Sequence, residues 1–199
     1  DFLYCLSKLH SNANYITVNI SSPNTEGLRD FHNKDSMSDL LSKLSKIKKE
    51  KKIDKPIYLK ISPDIEDQDI SNIIENIFKF KIDGVIISNT SDKNRDDLKD
   101  IKKIEKGGLS GKPIKNISTK MIKKFYKEID KKIPIIGVGG IDSGQSAFEK
   151  IISGASAVQL YTGMVYKGPG IVKEIKKELV EILKKEKIKN INFVVGINS

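Results

Sequence analysis

Two hydrophobic rhythms alternate along this chain. Short unbroken apolar runs at Tyr15–Ile20, Pro56–Ile61, Asp83–Ser88, Ile133–Val138 and Ala157–Tyr161 predict five strands. Between them, apolar residues three and four apart predict helices near Ser36–Lys51, Asp67–Phe80, Ser118–Lys131, Ser143–Ser153 and Pro169–Lys185. Asp67, Ser118 and Ser143 stand where helix caps belong, and Lys48–Lys52 fits a helix end and its loop. Strands that are apolar throughout, each followed by a helix, imply an α/β fold with a parallel sheet covered on both faces. No Gly/Ser linker or low-complexity tract divides the series, so one domain is expected.

Five βα units do not close an eight-stranded barrel, and 199 residues fall short of the roughly 250 that such a barrel needs. The glycines suggest which five units these are. Gly137, Gly139 and Gly140 follow the fourth predicted strand, and Tyr161, Thr162 and Gly163 follow the fifth. Glycines there let backbone N–H groups approach a phosphate, which (β/α)₈ barrels often bind after strands 7 and 8. The chain is therefore expected to cover strands 4–8 of a TIM barrel, as the C-terminal part of one domain whose first three strands precede Asp1. A five-stranded flavodoxin-like sheet is the alternative, but its phosphate loop usually follows the first strand. No glycine-rich loop follows Ile20.

Composition changes this picture little. The formal charge of +10 comes almost wholly from lysines interleaved with Glu and Ile, a pattern that suits solvated helix faces. Aromatic residues are not interleaved with the basic ones, so no nucleic-acid partner is expected. The only arginines are Arg29 and Arg95. Cys5 stands alone, and His10 and His32 are too isolated to suggest a metal site. No run approaches a membrane span, and no signal peptide is visible in a chain that opens at Asp1 without Met.

Candidate chemistry is densest where the first strand ends. Asn19, Ser21, Ser22, Pro23, Asn24 and Thr25 gather amides and hydroxyls without a charge. Amides can bond the carbonyl and N–H edges of a planar heterocycle, and a hydroxyl can relay a proton in a dry site. A polar turn between strand and helix is the plainer account, with Ser21 the better candidate for a purely structural role. Lys60 interrupts the apolar strand YLKI; a buried lysine needs an anion nearby.

The segments NISSPNTEGLR (19–29), YLKISPD (58–64), DGVIISNT (83–90), GGLSGKPI (107–114), IPIIGVGGIDSG (133–144) and GASAVQLYTG (154–163) together resemble the class 2, quinone-dependent dihydroorotate dehydrogenases. The resemblance implies oxidation of dihydroorotate to orotate in pyrimidine biosynthesis, with FMN accepting the hydride and a quinone reoxidising it. It implies Ser22 as the catalytic base, where class 1 enzymes carry Cys, with a proton relay through water or Thr25. Asn19, Asn24, Asn89 and Thr90 match orotate-binding positions. Asn19, Lys60, Ser88, Gly111, Gly140, Tyr161 and Thr162 match FMN contacts, with Ser110 and Gly139 beside them. Ser88 stands where relatives often have Thr.

The resemblance further implies membrane association and a quinone site through N-terminal helices outside these residues. The inner face of a bacterial cytoplasmic membrane is expected, or else the mitochondrial inner membrane. Two alternatives stay open: a related FMN barrel acting on another pyrimidine or acceptor, and a non-redox phosphate-binding barrel.

Overall fold

The computed structural model describes residues 1–93 and 95–199. Its elements are α1 (Phe2–Leu9), β1 (Ile16–Asn19), α2 (Lys34–Glu50), β2 (Ile57–Ile61), α3 (Asp67–Lys79), β3 (Gly84–Ile87), α4 (Lys115–Ile129), β4 (Ile135–Val138), α5 (Gly144–Ile152), β5 (Ala157–Gln159), α6 (Thr162–Lys167) and α7 (Ile171–Lys185). All five predicted strands and all five predicted helices are present. The short helices α1 and α6 were not foreseen.

Helix formation follows the apolar stripes. In α2, Met37, Leu40, Leu41 and Leu44 are buried, and in α3 Ile70, Ile73, Ile74 and Ile77. Both sets lie on one stripe of a 3.6-residue helix. Four serines in α2 are poor helix formers, each costing about 0.5 kcal/mol against alanine. A buried Leu or Met contributes about 1.5–3 kcal/mol, so the stripe decides.

The strands are parallel and lie in the order β1-β2-β3-β4-β5. A flavodoxin-like sheet would place a later strand outside the first, so that alternative is excluded. Sequential order is what a barrel requires. The sheet is also curled. Strands about 4.8 Å apart would set β1 and β5 roughly 19 Å apart if flat. Gln159 Nε2 nonetheless donates to Tyr15 Oη at 3.4 Å across the concave face. Tyr15 packs edge-on to Tyr58 on the same face, ring centroids 5.6 Å apart.

Helices cover only the convex face. Each packs on the next, α1 on α2 and so on through α4 on α5 and α5 on α7. The expectation of a sheet covered on both faces holds for β3, which is buried throughout, but not for the edges. Thr17 and Asn19 on β1 and Ala157 on β5 are exposed on the concave side.

Two of the three expected caps are corrected. Asp67 is the first residue of α3, where its charge suits the helix dipole, and Glu66 precedes it. Ser118 lies inside α4, because Pro113 starts a 3₁₀ turn at Lys112–Ile114 that leads directly into the helix. Its buried hydroxyl instead donates to the Val138 carbonyl at the end of β4. Ser143 is a cap: its Oγ accepts from Ser146 N–H at 3.2 Å, and Ser146 Oγ accepts from Ser143 N–H at 3.0 Å. Ser143→Ala in the intact protein is expected to cost about 1 kcal/mol. An unchanged urea midpoint would show that α5 does not depend on this cap.

Candidate functional site

All five strands point their carboxyl ends to one rim, and the loops leaving that rim carry the candidate residues. Asn19, the last residue of β1, sits across from Asn89, two residues past β3. Asn19 Oδ1 accepts three bonds: from Ser21 N–H at 3.3 Å, Ser21 Oγ at 3.0 Å and Asn89 Nδ2 at 3.0 Å. Asn89 Nδ2 also donates to Ser21 Oγ at 3.1 Å, while Asn89 Oδ1 accepts Thr90 N–H at 2.8 Å. Asn19 Nδ2 is thereby fixed as a donor without a partner among the described residues. Buried Ser21 is the hub that orients both amides.

Beside this array lies a cleft of about 370 Å³ lined by Lys60, Ser88, Asn89, Thr90, Ser110, Gly111, Gly139, Gly140, Tyr161 and Thr162 among others. Lys60 is the only charged side chain among its described lining residues. Burial pushes the Lys60 pKa down, and its ammonium has no partner among the described residues. Gly111 and Gly140 have φ of +76° and +72°. A Cβ on Gly111 would strike Thr162 at 2.8 Å, and one on Gly140 would strike Lys115 at 2.4 Å. The backbone must stay bare there. Ser110 Oγ and Thr162 Oγ1 share a 2.8 Å hydrogen bond across the same end. Ser88 turns its hydroxyl to the Asn89 carbonyl at 3.1 Å, leaving only its backbone to face a ligand.

Ser22 and Asn24 stand outside that cleft. Ser22 is half-buried and its Oγ accepts Asn24 N–H at 3.3 Å. Asn24 is exposed beside a groove shared with Pro23, Asp92 and Ile104. No hydrogen bond joins Thr25 to Ser22 among the described residues. The structure thus brings most of the expected cofactor contacts into one cleft, with Asn19 bonded to its edge, and sets Asn24 apart.

Both arginines, noted in the sequence but given no role there, organise the rim. Arg29 Nε donates to the Ser21 carbonyl at 3.3 Å and Nη2 to the Thr90 carbonyl at 3.1 Å. The same guanidinium pairs with Asp64 at 3.1 Å and Asp92 at 2.7 Å. Arg95 donates to the carbonyls of Lys103, Glu105 and Gly107 in the loop after β3. A lysine has no planar fork for such contacts. Their rarity in a lysine-rich chain was the available signal. Burial pushes the Asp64 carboxyl up despite its bond from Ser91, whereas at Asp92 the opposing burial is overcome by the Arg29 bond and charge acting together with its other hydrogen bonds, which hold that carboxyl low.

The family model "Dihydroorotate dehydrogenase" matches residues 1–183. The chain belongs to the dihydroorotate dehydrogenase family. It is 46% identical over 181 residues to a dihydroorotate dehydrogenase (quinone) of Christiangramia forsetii, covering 91% of this chain and 53% of the relative. It is 48% identical over 184 residues to the enzyme of that name from Vibrio cholerae, covering 90% and 54%. Among solved structures, DHODH of Eimeria tenella in complex with ferulenol superposes with a TM-score of 0.95 at 31% identity. That match covers 100% of this chain and 57% of the other. The chain spans about half the length of the curated relatives it matches.

Within this family framework, His32 is the residue that locks the Arg29 turn to the loop after β2. Its Nδ1 donates to the Arg29 carbonyl at 2.9 Å and its Nε2 accepts Ser62 N–H at 3.3 Å, which requires a neutral ring. Burial lowers its pKa below 6.5; the bond to the Arg29 carbonyl opposes this and the Arg29 charge adds to it. As pH falls through 6.5 the unfolded chain takes up the proton first, so stability declines from there down to the folded pKa. His32→Gln is expected to flatten that decline by up to one proton, about 1.4 kcal/mol per pH unit. Urea midpoints between pH 5 and 8 measure it, and parallel curves would contradict it.

Proposed function

We propose that the intact protein oxidises dihydroorotate to orotate in pyrimidine biosynthesis, with FMN accepting the hydride and a quinone reoxidising it. One observation carries this reading: the uncharged Asn19–Ser21–Asn89 amide array opens beside a cleft whose only described charge is Lys60. The carbonyl and N–H edges of a pyrimidine ring suit the array, and an electron-accepting ring suits a lone cation.

The residues present fit FMN. Gly111, Gly140 and Thr162 form a bare-backbone end for the phosphate, and Lys60 supplies an unpartnered ammonium. A bound FMN would supply the hydride acceptor. Asn19 and Asn89 hold the substrate ring by its carbonyl and N–H edges, assisted by Thr90 and, from the outer rim, Asn24. Ser22 Oγ takes the proton from C5 of the substrate. The Asn24 N–H donated to that oxygen favours negative charge on it, which is what a hydroxyl acting as base needs. Lys60 offers positive charge where negative charge develops. A water is the proton relay that best accords with this arrangement.

No helix among the described residues is long and apolar enough to cross a membrane. We infer that attachment to the bacterial cytoplasmic membrane (or the mitochondrial inner membrane), the quinone path and three further βα units lie in segments beyond these 199 residues. Residues 1–199 expressed alone are then expected to lack turnover, because the concave face and both sheet edges stay open. A monomeric, flavin-loaded, active 199-residue protein would overturn this. The reaction itself is tested by mixing the intact protein anaerobically with dihydroorotate while following flavin absorbance. Rapid bleaching is expected, slowed at least ~100-fold in Ser22→Ala. A bound flavin that never bleaches would indicate another flavoenzyme, and a colourless protein would sink the redox assignment.

A further inference from the structure

Lys150 is wholly buried on α5, yet its amine bonds no carboxylate among the described residues. Its Nζ donates to the Lys115 carbonyl at 2.9 Å and to Thr119 Oγ1 at 2.8 Å. The Thr119 hydroxyl is itself committed as a donor to the Lys115 carbonyl at 2.8 Å. Two acceptors match the two N–H bonds of a neutral amine. The third N–H of an ammonium has no acceptor among the described residues, and leaving it buried is costly. Burial, reinforced by the Lys115 charge and opposed by Glu149, accordingly brings the Lys150 pKa down to about 7. Those are the two charges facing it: Lys115 at the start of α4 and Glu149 on its own helix, paired with each other at 2.6 Å.

The clamped residue packs behind the Gly140 end of the cleft. Lys115 is the side chain that a Cβ on Gly140 would strike, and Gly111 lies four residues before it. Lys150 therefore holds the backbone of the residue against which Gly140 packs. A phosphate monoester bound at Gly140 brings about two negative charges to the far side of Lys115, the residue whose carbonyl the buried amine bonds. Resting on the FMN reading above, we propose that Lys150 is the positioning residue of this cradle and that a proton is taken up at Lys150 when a phosphate monoester binds.

The test is calorimetry on the intact protein, freed of flavin and titrated at pH 8 in buffers of differing ionisation enthalpy. At that pH the ligand phosphate is already a dianion. FMN binding is expected to take up close to one proton; riboflavin, which lacks the phosphate, is expected to take up none. In Lys150→Met, checked for folding by circular dichroism, the uptake is expected to vanish. FMN affinity in that variant at pH 8 is expected to fall about tenfold for each unit by which the wild-type pKa in the bound state exceeds 8. Thr119→Val, which removes one acceptor and leaves the amine, is expected to keep the uptake. Equal uptake with FMN and riboflavin in the wild type overturns the proposal without any variant, as does uptake that survives Lys150→Met. If no flavin binds but inorganic phosphate does, with uptake that depends on Lys150, the flavin reading fails and the Lys150 assignment stands. If neither binds, both fail.

Discussion

Everything in this molecule follows from five parallel strands, joined in sequence, whose helices cover only one face. A parallel strand must be returned by a crossover, and a right-handed crossover lays each helix on the same side when successive strands are neighbours. The sheet then curls about its uncovered side, and Tyr15 meets Gln159 across the concavity. Curling brings all five carboxyl ends onto one rim. Residues far apart in the chain, such as Asn19 and Asn89, become hydrogen-bonded neighbours there.

A rim made of loops is precise only if the loops are held. The two arginines hold them through backbone carbonyls. Arg29 ties the segment after β1 to the segment after β3, and Arg95 gathers the loop that follows it. Elsewhere lysine serves as the solvated charge of helix faces. At half-buried Lys60 and buried Lys150 it serves differently, as an amine whose pKa its surroundings push down. One faces the cleft, and the other stands behind the wall of that cleft.

The strands and long helices were legible because their apolar spacing is local and strong, as in Ile70, Ile73, Ile74 and Ile77 of α3. Ser143 was legible as a cap because a capping box is read within four residues. The helix α6 was not, since six residues are too few to show a period. Ser118 misled because its hydroxyl is spent on a strand end that only tertiary structure brings near. Most of the cleft was legible from glycine placement and family motifs. The bonds that fix it were not. Arg29 and Thr90 are 61 residues apart, and no local pattern joins them.

The central claim is that the amide array and the Lys60 cleft are two halves of one site. A crystal structure of the intact protein grown with orotate tests it most directly. The account predicts the orotate ring bonded to Asn19 and Asn89, with a flavin lying along Lys60 and its phosphate at Gly111 and Gly140. Orotate bound away from the amides, or a flavin phosphate seated elsewhere, would contradict it.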